Sequence, residues 1–329
     1  MLAFYADSLI IPTFESLQID VNNLNTSIEA FALSQTSENL IAIQQKYKAS
    51  ALSWQKASPF DFTYSEDENG ILLSDNVNIF PTSVSKIETA IEAGNNTFTF
   101  SNRDARGFQA LDYLLFRLDD NNTVLLGSFS DAKRMAYLKA VSVELKKNID
   151  KATTNWKQNR ANFIQNDGTA VGSSTSELYN SFLSNFEELK NFKLRLPLGK
   201  NAGQTQTEIA QLECYYSGYS LEMLKANMNA AENTWYGRKQ NSISFKGFHT
   251  YLSNISGGES LVNQTIAQLK AMNTNMNNIP SGRLSSTITS NFTMVEQAYN
   301  EISKLTRYWK SDMSSLLGIA ITYSSGDGD

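Results

Sequence analysis

The sequence predicts an all-α protein built as two helical bundles. Three observations carry the prediction. Apolar residues recur at steps of three and four from end to end, the stripe of amphipathic helices. Alternating strand patterns are scarce, the best being Thr97 to Phe100, too short to found a sheet. Only 5 prolines and 17 glycines punctuate 329 residues, which leaves room for long helices.

Taken in order, Phe14, Leu17, Val21, Leu24 and Ile28 mark a first helix within 1–30, and Leu40, Tyr47 and Trp54 a second at 37–58. Ser85, with Glu88 three residues on, reads as a capping box that starts a third over 83–118. Leu138, Val141, Leu145, Ile149, Ala152 and Trp156 define a fourth at 131–163. The segment 166–175, from a small, polar, glycine-bearing run, reads as a linker. Beyond it, helices are expected at 176–193, 205–232, 259–278 and 288–317. Their stripes are Leu178, Phe182, Phe186 and Leu189; Val262, Ile266, Leu269, Met272 and Met276; and Val295, Tyr299, Ile302, Leu305, Trp309, Met313 and Leu316. The expected organisation is an N-terminal bundle at 1–165 and a C-terminal bundle at 176–329, about four long helices each. That layout suggests a duplicated bundle, which Gly107-Phe108 and Gly247-Phe248 faintly support.

Composition narrows the functions. A net charge of −5 and scattered Lys and Arg give no electrostatic reason to bind nucleic acid. The single cysteine, Cys214, excludes an internal disulfide and Cys-pair metal motifs. The single histidine, His249, excludes zinc sites built on two histidines, and it reads as structural. No stretch approaches the ~20 apolar residues of a membrane span. The N-terminal stripe, Met1 to Phe14, reads as part of the fold and not as a signal peptide. Ser65 to Asn76 imitates a calcium loop but lacks its twelfth-position glutamate, so a polar turn is the better account. No G-x-S-x-G elbow or phosphate-cradling glycine loop occurs.

Several separated segments, together spanning most of the chain, resemble landmarks of the imelysin-like family. They begin with Tyr5-Ala6-Asp7, Ile10-Ile11-Pro12, Trp54 and Asn78-Ile79-Phe80-Pro81. Gly107-Phe108-Gln109-Ala110-Leu111-Asp112 stands where the family has G-x-H-x-x-E. Arg195-Leu196-Pro197, Glu213, Tyr219-Ser220, Asn227 and Tyr236-Gly237 follow, and the chain closes on Gly326-Asp327-Gly328-Asp329. The resemblance implies two helical bundles with a functional cleft between them, export to the periplasm or cell envelope, and a role near iron acquisition. On that reading a signal or lipid-anchor segment is absent from this chain.

The sequence departs from the family at its central motif, where Gln109 and Asp112 replace histidine and glutamate. Positions i and i+3 still share a helix face, so both side chains can address one site. An oxygen-only site suits a hard cation such as ferric iron or calcium, with Asp112 as the metal ligand, better than a zinc hydrolase. The other reading of the pair is a buried hydrogen-bonded couple or a solvated face. Glu213, Ser220 and Asn227 recur every seven residues, near one face of a single expected helix, facing either the cleft or solvent. Arg195 is an anion-clamp candidate, with a rim salt bridge as the simpler reading. Arg103 and Arg106 are candidates to pair with Asp112 or meet an anionic ligand, with ordinary surface charge as the simpler reading. The leading expectation is a non-catalytic envelope protein of iron or metal uptake, its metal ion or iron-containing ligand held in the cleft by Gln109, Asp112, Glu213 and Ser220. The alternatives are a metallopeptidase of the imelysin (M75) type and a helical scaffold that binds another envelope protein.

Overall fold

The computed structural model describes residues 1–119, 121–239 and 246–323, and among these there is no strand. The Gly326–Asp329 ending lies outside them. Ten helices carry the architecture. The first half contributes α1 (Ile11–Leu33), α2 (Ser37–Ala57), α3 (Val84–Ala93), α4 (Gly107–Leu115) and α5 (Ala132–Gln158). The second contributes α6 (Ser174–Lys190), α7 (Ser220–Tyr236), α8 (Phe248–Ser253), α9 (Gly258–Asn278) and α10 (Phe292–Thr306). A π-helical stretch, Tyr5–Ile10, leads into α1, and a second, Asn191–Arg195, extends α6.

Helices α1 and α2, joined by three residues, pack along each other, and α5 closes on α1. In the second half α9 packs on α10, and α6 on α7. The halves meet where α7 lies against α2 and α6 lies against the 3-10 turn Ser58–Phe60. Buried apolar residues of both halves form one contiguous cluster. The stripes fall inward as expected, except that Leu316, at the end of the last one, is exposed and α9 shows an exchange: Ile266 is exposed and Thr265 is buried. Thr265 satisfies its hydroxyl on the carbonyl of Leu261, so it fits the core without an orphaned donor.

Two of the long helices expected from periodicity are broken. Within 83–118, Gly94 takes a left-handed conformation that ends α3, and a 3-10 turn, Phe100–Ala105, precedes α4. The cap of α3 is Ser83, two residues before the expected Ser85. Glu88 instead accepts from Tyr113 and Arg134. Within 205–232, a 3-10 turn forms at Ile209–Gln211 and α-helix begins only at Ser220. Residues 205–219 wrap back instead, with the Glu208 amide on the Pro197 carbonyl and Cys214 at φ 54. Glu213 is therefore in a loop, not on one helix with Ser220 and Asn227.

Gly107 anchors the start of α4. Its φ is +74, and a Cβ there would stand 2.2 Å from the Val77 carbonyl oxygen. Gly107→Ala combines left-handed strain with a backbone clash, and is expected to cost at least about 2 kcal/mol. Thermal denaturation should show a drop of several degrees; an unchanged midpoint would contradict this packing.

Candidate functional site

Helix α4 carries Gln109 and Asp112 one turn apart. Leu111, Leu114 and Leu115 sink into the core, which leaves Gln109 and Asp112 on the face toward the 212–219 loop. Gln109 accepts the Cys214 amide at 2.8 Å and donates to Asn78 Oδ1 at 2.9 Å. Asp112 Oδ2 accepts the Tyr216 amide at 2.8 Å, and Oδ1 accepts the Ser217 amide at 3.3 Å. Gln109 and Asp112 thus clamp the loop, and the Gln109 contact holds Cys214 in its left-handed conformation. Arg283 grips the same loop from the other side, through the Tyr216 carbonyl at 3.1 Å.

The network continues across the junction. Asn78 Nδ2 and Gln55 Nε2 each donate to Glu213 Oε1 at 2.8 Å. Lys193 Nζ lies 3.1 Å from Glu213 Oε2 and donates to Gln55 Oε1 at 2.6 Å. Both charged side chains are almost wholly buried, at 3% and 2% exposure. Asn227 donates to the Gln55 carbonyl, Ser58 Oγ and Asn185 Oδ1. Ser220 Oγ reaches the Cys214 carbonyl at 3.4 Å. Five of the six residues singled out from the sequence therefore share one buried seam. Arg195 does not: it is half-buried, and its guanidinium meets no hydrogen-bond or ionic partner among the described residues, so the expected rim salt bridge is not formed.

Sequence reasoning missed Gln55, Asn185 and Lys193. Gln55 was detectable, since Tyr47, Ala51 and Gln55 lie at i, i+4 and i+8 and share the buried face of α2. Nothing in the local pattern marks Lys193 or Glu213 as a pair. His249 packs against the rings of Trp235 and Tyr236, matching its structural reading. Asp67 accepts the Asn69 and Ile71 amides, a polar turn as expected. Arg106 departs from a surface role: it is buried, facing Asn76 and Glu144.

The electrostatics are those of a dry junction. Burial pushes the Asp112 carboxyl up to about 6, against which the Ser217 hydroxyl, the loop amides and the Tyr47 hydroxyl act. Burial, with the nearby Asp112 and Glu213 charges, raises the Cys214 thiol well above its ordinary range, so it is a poor nucleophile. The donor set does not fit a metal ion as it stands. Both Asp112 oxygens, Glu213 Oε1 and the Gln109 carbonyl already accept protein donors, and the Lys193 ammonium supplies the local positive charge. Among the described residues no group of three or more His, Cys, Asp or Glu side chains is placed to hold a metal ion.

Beside the seam a crevice of about 310 Å³ opens between the Leu72–Phe80 segment and α6 with its π extension. Asn78 lines it, along with Asp75, Glu187 and Glu188. Asp75 faces Arg103 at 3.3 Å, and Glu187 is held by Lys190 at 2.6 Å. Glu188 has no hydrogen-bond or ionic partner among the described residues. Burial raises its carboxyl to about 7; Lys193 opposes that shift, and Glu213 adds to it.

An all-helical chain whose halves are pinned through one short glycine-led helix is the class this fold and seam define. The chain belongs to the imelysin family (Peptidase M75), whose model matches residues 10–307. The fold is similar to that of a protein from Parabacteroides distasonis described as an iron-regulated protein A precursor. The TM-score is 0.79 at 17% identity, over 96% of this chain and 94% of that one. An imelysin-like protein from Psychrobacter arcticum gives 0.76 at 18% identity, over 98% of this chain and 96% of that one. At these identities the likeness is one of fold. No curated protein matches the chain.

Lys193→Met should destabilise the protein by roughly 3–5 kcal/mol, because Glu213 is left as an uncompensated buried charge. Adding Glu213→Leu should recover part of that loss in a denaturant-unfolding double-mutant cycle; strict additivity would deny the pairing. A pH effect follows from Asp112. Its folded pKa, about 6, stands above its ordinary 3.8. The associated stability is full below pH ~4 and is lost as pH rises through 6, a change of roughly 3 kcal/mol. Asp112→Asn cannot titrate, so relative to wild type it should improve between pH 4 and 7. Parallel urea-unfolding profiles would refute this.

Proposed function

We propose that this chain is a non-catalytic binding protein of the bacterial cell envelope. In this reading it is exported to the periplasm or tethered there, and it serves iron uptake. Its ligand, an iron-containing complex or a hydrated hard cation, lies in the crevice between the halves. Membership of the imelysin family and the fold shared with a protein described as an iron-regulated precursor support the iron and export parts of the reading. No helix among the described residues is long and apolar enough to cross a membrane.

The observation that carries the reading is Glu188. It is a carboxyl group with no hydrogen bond or salt bridge among the described residues, in a crevice that Asn78 connects to the family motif. A cation there offsets the cost of ionising a desolvated carboxyl. The motif residues, by contrast, are spent on loop amides, which favours binding over hydrolysis. A metallopeptidase requires several strong ligands around an open metal position, and Gln109 and Asp112 are committed elsewhere. Asp75 and Asn78 line the same crevice as Glu188.

The test is thermal stabilisation by a soluble ferric chelate, calcium and zinc, compared between wild type and Glu188→Gln. Ferric chelate or calcium should raise the wild-type midpoint through ligand linkage. The rise should grow as pH passes 7, where Glu188 ionises, and should shrink in the variant. Equal stabilisation of both proteins would remove Glu188 from the site. Cleavage of casein that needs metal and disappears in Asp112→Ala would replace the proposal with the peptidase reading.

A further inference from the structure

A second cavity, of about 420 Å³, lies away from the seam, between the π-helical Tyr5–Ile10 stretch, the end of α2 and the outer face of α7. Its size is ordinary for a small-molecule site. The lining has a definite chemistry. Lys56, Lys225, Arg238 and Lys239 all border it, and no Asp or Glu does among the described residues. In a chain of net charge −5, four cations around one concavity is a local reversal of sign.

Neither Lys56 nor Lys225 has an ionic or hydrogen-bond partner among the described residues. Lys225 is half-buried, and that burial lowers its pKa, so its charge is held there at a cost. Arg238, in contrast, is already paired with Glu232 at 2.7 Å. Along α7, Lys225, Asn229 and Asn233 recur every four residues and present one cation and two amides in a row on one face. Between them Ala226 and Ala230 keep side chains short, which is what opens the cavity. Its floor is apolar: Leu9 and Phe60 are buried, and both border it.

We propose that this pocket binds a small organic anion with an apolar body, an aromatic or aliphatic carboxylate. Its charged end meets Lys56 and Lys225, its other oxygens meet the α7 amides, and its body lies on Leu9 and Phe60. An inorganic anion would use the cations and waste the floor. A neutral hydrophobe would leave the lysines uncompensated. The pocket is separate from the Glu188 crevice, so either site can fail without the other.

The experiment is calorimetric titration of the whole chain with 2-naphthoate and octanoate as probes. The neutral 2-naphthalenemethanol and inorganic phosphate serve as comparators. At least one carboxylate should bind saturably at one site, more tightly than either comparator. Lys56→Met/Lys225→Met should weaken it by roughly tenfold or more, since each lost charge contact is worth a factor of several. Lys46→Met, which removes an exposed charge elsewhere on α2, should leave it unchanged. Both pocket lysines lack partners, so their replacement orphans nothing in the fold. A thermal melt checks this, and the single variants carry the comparison if the double variant melts early. No saturable carboxylate binding, equal binding of the alcohol or of phosphate, or an unchanged affinity in the lysine variants would overturn the proposal.

Discussion

The burial of Glu213 beside Lys193 constrains how the two halves of this protein meet. An ion pair this deep loses nearly all its hydration, and its mutual attraction repays that loss only if every remaining polar atom finds a partner. Gln55 from α2 and Asn78 from the loop before α3, both from the opposite half of the chain, donate to Glu213 Oε1, Gln55 also accepts from Lys193, and Glu213 Oε2 is left to face the Lys193 ammonium. Sliding one half against the other would strand a charge. The seam therefore fixes register in a way that the surrounding apolar contacts, which are non-directional, do not.

This constraint recasts the family motif. A glycine at position 107 lets α4 begin hard against the Val77 backbone, and that start places Gln109 and Asp112 over the 212–219 loop. An amide in place of imidazole gives an acceptor for the Cys214 amide and a donor for Asn78 in one side chain. The shorter aspartate brings its oxygens to two successive backbone amides. Both substitutions that make a metal ligand set poorer make the clamp complete. Asn78 is the hinge between structure and surface: both ends of its amide serve the buried seam, and the residue itself borders the crevice where Glu188 stands.

The charge distribution divides the junction into two environments. The crevice beside α6 carries Asp75, Glu187 and Glu188, while the cavity at α7 carries four cations and no carboxylate among the described residues. A net charge of −5 conceals this separation, because composition sums over the surface and a ligand samples only the field of one cavity. The two cavities draw on different elements, so their affinities can vary independently.

The sequence by itself determined the helical class, most of the buried stripes and the family, and it singled out as ligand-site candidates Gln109, Asp112, Glu213, Ser220 and Asn227, which the structure gathers into one buried seam. Periodicity reports which face of a helix is buried because burial and helical pitch are both local. It also reported, through Gly107 and its neighbours, a motif whose order survives substitution. What it did not determine was where helices break and what the polar residues touch. Glu213 kept its seven-residue spacing with Ser220 and Asn227 although only the latter two are helical, so spacing alone misassigned its element. Residues 205–219 leave the helix because α4 and Arg283 hold the loop's amides and carbonyls, donors and acceptors from elsewhere in the chain. Lys193 and Glu213, twenty residues apart with no pattern joining them, pair only once α6, α2 and the loop have converged. Only the tertiary structure could decide whether Asp112 faces a ligand or a backbone amide. The answer depends on which groups are left unsatisfied when the halves close, and that is a property of the packed whole.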